Sequence, residues 1–256
     1  MPAPTNTATA SPDVLQLQDI ALRRGTQLLF DKLTLSLSER RIGFIGDNGA
    51  GKSSLFRLIC GLEQPSAGQV HLPTAGADGA RPVGMMFQNP DEQWIFPTVE
   101  EELALSLTGR GLRRQEALVQ ARQWLAARGL GHWAERAIAS LSQGQRQHVC
   151  WLSLLIAAPA VLLLDEPFAS LDLPGQQLLR QEIAQAPQQV LLSTHQLSHV
   201  RDFERVIWLE AGRVRADGPG AEVCAAYEAE VLQRAQERRL SIDEAAQATP
   251  AGKACA

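Results

Sequence analysis

A chain of 256 residues, 45% hydrophobic and 20% charged, can bury a full core. Its net charge of −4 gives no electrostatic reason to expect nucleic acid, whose binders carry basic stripes. The four cysteines (Cys60, Cys150, Cys224, Cys255) lack metal-ligand spacing, and Cys60 and Cys150 sit in apolar stretches, as small core residues of a reducing compartment do.

Residues 1–13 have neither a basic start nor an apolar core, so they read as a disordered tail and not as a signal peptide. Val14–Leu17 and Leu33–Leu37 flank an Arg24-Gly25-Thr26 turn and are expected strands of an antiparallel portion. The strand-like run Ile42–Ile45 then leads into Gly46-Asp47-Asn48-Gly49-Ala50-Gly51-Lys52-Ser53, with Ser54–Ile59 opening as a helix behind it. This fits G-x-x-x-x-G-K-[ST], and the strand and helix around it argue against a chance glycine-rich turn. Glycines let backbone N–H groups turn inward, and the helix start adds partial positive charge, which together make an anion cradle. Lys52 would reach the β- and γ-phosphates of a nucleoside triphosphate, and the Ser53 hydroxyl would ligate Mg²⁺.

The apolar run Val83–Phe87 ends at Gln88, and Asn89-Pro90-Asp91 is a turn signal. It places Asp91 and Glu92 on an exposed elbow with Trp94, Ile95 and Phe96 alongside. Residues 89–157 read as helix-rich, ending in Leu141-Ser142-Gln143-Gly144-Gln145 and a helix that runs to about Ala157 and stops before Pro159. Ser142 suits its N-cap, and the N–H groups behind it form a second anion site. One nucleotide needs only the first site, so two copies arranged head to tail are expected, each lending its second site to the other.

Val161–Leu164 is a short apolar run that ends in Asp165-Glu166, as a strand buried in a parallel sheet would. Asp165 can hold a Mg²⁺-bound water, and Glu166 can polarise the water that attacks the γ-phosphate. Strands follow at Val190–Ser193 and Val206–Leu209, with a hairpin through Glu210-Ala211-Gly212 into Arg213–Ala216. A polar amphipathic helix is expected around Ala221–Leu240. The most apolar window, Trp151–Leu164, is too short to span a membrane and is cut by Pro159.

With these motifs in order across about 14–220, the chain resembles the ATPase subunit of an ATP-binding-cassette transporter. Leu141–Gln145 is similar to that family's LSGGQ signature, Ser170-Leu171-Asp172 to its D-loop, and Gln88 to its Q-loop glutamine. Thr194-His195 is similar to its switch histidine. The resemblance implies an α/β fold, a P-loop NTPase (RecA-like) core with an antiparallel β subdomain and an inserted helical subdomain. It implies a domain over 14–220, a helical subdomain over 89–157, and a C-terminal helix and tail over 221–256. Lys52, Glu166 and His195 would be catalytic. Residues Gly46 to Ser54, with Gln88 and the partner copy's Ser142, Gly144 and Gln145, would surround ATP. Ser53, Gln88 and Asp165 would hold Mg²⁺. The expected place is the cytoplasmic face of the inner (plasma) membrane, as a peripheral protein and not one that binds nucleic acid.

Three departures from the family pattern stand out. Gln143 replaces the first glycine of the signature, and Gln147–Ile156 carries Trp151 and leucines where the family has arginine and alanine. Arg24 stands where the family usually has an aromatic that stacks on adenine; a guanidinium plane can also stack, or be a solvated turn residue. The stretch Phe87–Gln93, followed by Phe96–Glu102, resembles the ATPases of energy-coupling-factor importers, which take up vitamins such as biotin, or cobalt and nickel. There Gln88, Asp91 and Glu92 would meet a basic helix of a transmembrane coupling subunit. A DNA-maintenance cassette would need a long coiled coil between its halves, and a translation factor two cassettes and a basic linker. Neither is present.

Overall fold

The computed structural model describes residues 14–74, 82–89, 91 and 93–248. The expected N-terminal tail, Pro90, Glu92 and Cys255 lie outside them. The chain opens with a hairpin of β1 (Leu15–Arg24) and β2 (Gln27–Leu37), joined by β4 (Ala67–His71) in a three-stranded antiparallel sheet ordered β2-β1-β4. Gly25 makes the connecting turn at φ 59°, in the left-handed region that glycine enters without a Cβ clash. Both strands outrun the apolar stretches that mark them in the sequence. Their distal halves alternate buried Leu22 and Phe30 with exposed Arg23, Arg24, Asp31 and Lys32.

The second sheet is six-stranded, with order β5-β6-β7-β3-β8-β9. It comprises β3 (Arg41–Ile45), β5 (Val83–Met86), β6 (Val161–Asp165), β7 (Gln189–Ser193), β8 (Arg205–Glu210) and β9 (Arg213–Gly218). All neighbours pair in parallel except β8 and β9. Every residue of β3 and β6 is buried, which is why both read as unbroken apolar runs and not as alternating ones. Helices α1 (Lys52–Ile59), α5 (Leu173–Gln185) and α6 (Gly220–Ala248) flank this sheet. Because five strands run one way, their carboxyl ends share one edge.

The opposite edge is closed by a buried cation. Arg41, 9% exposed, donates to the carbonyls of Ile183 (2.8 Å), Ala186 (2.5 Å) and Gln188 (2.8 Å). Carbonyls at a helix C-terminus lack internal partners, and a guanidinium satisfies several of them at once while complementing the helix dipole.

Between β5 and β6 the chain builds a separate layer from α2 (Val99–Thr108), α3 (Arg114–Ala126) and α4 (Gln143–Ala157). Val99, Leu103, Ala121, Leu125, Val149 and Leu152 are among its buried core residues. Acids that look surplus in the sequence hold this layer. Glu102 accepts the backbone N–H groups of Ile95 (3.0 Å) and Phe96 (2.9 Å), and Glu100 takes both arms of the Arg122 guanidinium (2.5 and 2.7 Å). Helix α4 spans two cores: Val149, Leu152 and Ile156 face the helical layer, while Cys150, Trp151 and Leu154 face the sheet. Trp151 is fully buried there, so its departure from the family pattern is a packing choice.

Trp151→Ala should therefore lower unfolding free energy by about 3–5 kcal/mol, because the emptied volume joins two packed layers. Chemical denaturation measures this; a loss under about 1 kcal/mol would show that the layers collapse onto the gap.

Candidate nucleotide site

The phosphate loop leaves β3 at Ile45 and enters α1 at Lys52. Its glycines are not interchangeable with other residues: Gly46 has φ 138° and Gly51 φ 109°. A Cβ on Gly46 would stand 2.1 Å from the Leu209 carbonyl oxygen, and one on Gly51 2.9 Å from the Phe30 ring. No side chain caps α1, so its first N–H groups are left to the loop side. The cleft over the loop has a volume of about 690 Å³ and draws on six elements or loops. It is lined by Arg24 and Gln27 from the hairpin, by Gly46, Asp47, Asn48, Gly49, Gly51, Lys52, Ser53 and Ser54, and by Gln88, Asp165, Glu166, Ser193, His195 and Tyr227. Ala50 is 5% exposed and faces inward, away from the cleft.

Lys52 is buried beneath this cleft and donates to the carbonyls of Gly46 (2.7 Å) and Asp47 (3.2 Å). Burial pulls its pKa down, and the negative charges of Glu166, Asp165 and Asp47 push it back up. The Asp165 Oδ1 atom is buried with no hydrogen-bond partner. An orphaned carboxylate oxygen is costly, and in a cleft that Ser53 also lines it fits a hard divalent cation with oxygen ligands. Glu166 adopts φ 49°, an uncommon conformation for a residue with a Cβ, and its N–H donates to the Ser193 carbonyl (2.9 Å). Its Oε2 lies 2.9 Å from His195 Nδ1. The backbone before His195 is anchored to β3, where Thr194 N–H donates to the Phe44 carbonyl (3.1 Å).

The second helix start forms a different cleft of about 480 Å³, lined by Ser142, Gln143, Gly144, Gln145, Ser170, Leu171 and Asp172 among others. None of the residues lining it lines the first. Ser142 caps α4 as expected: its Oγ accepts from Gln145 N–H (3.2 Å), and the Gln145 side chain accepts from Ser142 N–H (3.1 Å). Gln143, the departure from the family signature, donates from Nε2 to Ser170 Oγ at 3.1 Å and so ties this turn to the D-loop.

The elbow after Gln88 differs from expectation in its apolar part. Trp94 and Phe96 are half-buried, with Trp94 packed against both the sheet core and the helical core, and Ile95 at 71% exposed is the apolar side chain that projects. Asp91 is exposed and lies 3.4 Å from Arg146 Nε on α4, a pairing not visible in the sequence. Arg24 lines the first cleft and pairs with Glu63 at 3.2 Å. Sequence reasoning missed Tyr227, the chain's one tyrosine, which enters the first cleft from α6.

A family model described as ABC transporter matches residues 30–169. The chain belongs to the ABC transporter family, as an ATP-hydrolysing subunit. It is 47% identical over 220 residues to the biotin transport ATP-binding protein BioM of Rhodobacter capsulatus, covering 83% of this chain and 93% of that one. It is 34% identical over 192 residues to the energy-coupling factor transporter ATP-binding protein EcfA1 of Lactiplantibacillus plantarum, covering 71% and 68%. Among solved structures, cbiO1 from Clostridium perfringens, described as part of the ABC transporter complex cbiONQ, shares the fold. Its TM-score is 0.70 at 24% identity, with 93% of this chain and 100% of that chain covered. The α/β core, antiparallel sheet and inserted helices expected of a P-loop NTPase are the observed architecture.

Proposed function

We propose that this chain hydrolyses ATP on the cytoplasmic face of the inner membrane to energise an energy-coupling-factor importer, with biotin as the cargo. The observation that carries the hydrolytic reading is the convergence at one sheet edge of a buried lysine, an orphaned buried carboxylate and a strained glutamate held by a histidine. The names of the 47% and 34% identical relatives support the importer class, and the first supports biotin. The ATPase unit would be 14–220, with residues 89–157 as its helical subdomain and 221–256 as an appended helix and tail.

In this reading Lys52, Ser53, Ser54 and the loop N–H groups bind the triphosphate, and Arg24 faces the base. Ser53, Asp165 and Gln88 would hold Mg²⁺, which when bound would offset phosphate charge. Glu166 accepts a proton from the attacking water, while His195 holds Glu166 in place and reaches the γ-phosphate. Ser142, Gly144 and Gln145 of a second, head-to-tail copy complete the site, since within one chain they line a separate cleft. The Gln88–Glu92 elbow, with exposed Asp91 and Ile95, meets a transmembrane coupling subunit. Among the described residues no helix is long and apolar enough to cross a membrane.

Glu166→Gln should keep ATP affinity while slowing turnover by about a hundredfold or more, since the proton acceptor is gone and the shape is not. Steady-state phosphate release with a parallel binding titration reads both. Near-normal turnover would remove Glu166 from the chemistry.

Asp91→Lys should abolish co-purification with the membrane subunit, because a like charge is brought against a basic helix. Arg146→Gln removes the internal partner of Asp91 and should leave assembly intact. Assembly of both variants would move the docking surface elsewhere, and loss in both would make Asp91 a matter of internal structure.

A further inference from the structure

The phosphate loop carries an acid where a triphosphate would have to approach. Asp47 follows Gly46 directly and lines the cleft, and its carboxylate would repel phosphate oxygens if left unpaired. It is paired from a distant part of the chain. Tyr227 donates its hydroxyl to Asp47 Oδ1 at 2.7 Å, and Arg234 Nη1 stands 2.6 Å from Oδ2. Both partners come from α6, seven residues apart, which puts them two turns apart on one face of the helix.

The face is seated. Tyr227 packs edge-on against Trp208 of β8 at 5.1 Å, and Arg215 of β9 pairs with Glu230 at 3.4 Å between the two contact residues. Glu230 also lies 4.0 Å from Arg234 Nε, so the guanidinium is flanked by one acid of its own helix and one of the phosphate loop. The hydrogen bonds from Arg234 and Tyr227 hold the Asp47 carboxyl below its usual range, and burial together with Asp47 pushes the Tyr227 phenol up to about 12. An ion pair this exposed adds little to folding stability, so its main effect falls on the charge of the site.

We propose that α6 is a clasp on the phosphate loop, in which Tyr227 and Arg234 position and neutralise Asp47 so that the loop accepts a nucleoside triphosphate. This rests on the reading of the loop as the ATP site and adds to it a pair of positioning residues from outside the nucleotide-binding motifs. Arg234 cancels the one acidic side chain within Gly46–Ser54, and Tyr227 fixes the carboxylate in the direction of α6. The sign of the effect separates an electrostatic clasp from a merely structural tie. A structural tie is weakened by loss of either partner. An electrostatic clasp responds oppositely to loss of the base and loss of the acid.

The test is MgATP affinity of the full chain by calorimetry at low and high salt, for wild type, Arg234→Ala, Asp47→Asn and the double variant. Arg234→Ala should weaken binding about three- to tenfold at low salt and less at high salt, since an exposed charge is screened within about 10 Å at 0.1 M. Asp47→Asn should tighten binding, and adding it to Arg234→Ala should restore affinity to about the wild-type value. Wild-type affinity in Arg234→Ala, or weaker binding in Asp47→Asn, would overturn the clasp while leaving the ATP site intact. A wild-type chain that binds no MgATP would overturn the ATP reading itself, and the clasp with it. The thermal midpoint of each variant shows whether it folds, and the opposite signs of the two single variants cannot arise from partial unfolding.

Discussion

Parallel strand pairing is the constraint on which the rest of this molecule depends. Hydrogen-bonded register sets Phe44 beside Ser193, Asp165 beside Ser193, and Met86 beside Leu164, so four loops leave the sheet at one height. The phosphate loop, the elbow at Gln88, the acids Asp165 and Glu166, and His195 are therefore neighbours though they lie far apart in sequence. Buried apolar strands hold that register, because a slip of one residue would turn core side chains outward. The arginine-closed opposite edge and the tryptophan between layers keep the platform from shifting.

On this platform the site is electrostatically tense. Lys52 is desolvated, Asp165 keeps a buried oxygen without a partner, and Glu166 sits in a backbone conformation that a Cβ disfavours. Such features lower stability and persist because surrounding structure over-determines them. Under the proposed function, a triphosphate with its cation would meet the desolvated lysine and the unpartnered carboxylate oxygen. The second cleft, at the start of α4, is built differently, from a capping box and a glutamine that joins it to Ser170. Its lining residues include no lysine, and its acids are occupied within the chain: Asp172 caps α5 through Gly175 N–H, and Glu182 lies 3.5 Å from His148.

Much of this was legible in the sequence because local chemistry and global fold agree there. The loop Gly46–Ser53, the cap at Ser142 and the run Val161–Glu166 each carry their geometry in a few adjacent residues. The hairpin β1–β2 was underestimated because its outer half alternates leucine with arginine and aspartate, so only the buried half looks like a strand. The acids Glu100 and Glu102 gave no sign of their tasks, because Arg122 and the N–H groups of Ile95 and Phe96 meet them only after the helical layer packs. Tyr227 and Arg234 were hidden for the same reason: 180 or more residues separate them from Asp47. The available signal was the spacing of an aromatic and a base on one helical face, together with an acid inside a loop built to bind anions.

The central claim is that one nucleotide site is shared by two copies, with Lys52 from one and Ser142 from the other. Mixing two inactive variants, Lys52→Ala and Ser142→Arg, tests it directly. Each alone places a defect in both sites of its homodimer, whereas a mixed dimer has one site built wholly from intact halves. Random pairing of equal amounts should then restore roughly a quarter of wild-type ATP turnover, the expectation for an isologous dimer with two equal sites. A mixture no more active than the two variants measured apart would contradict the shared site.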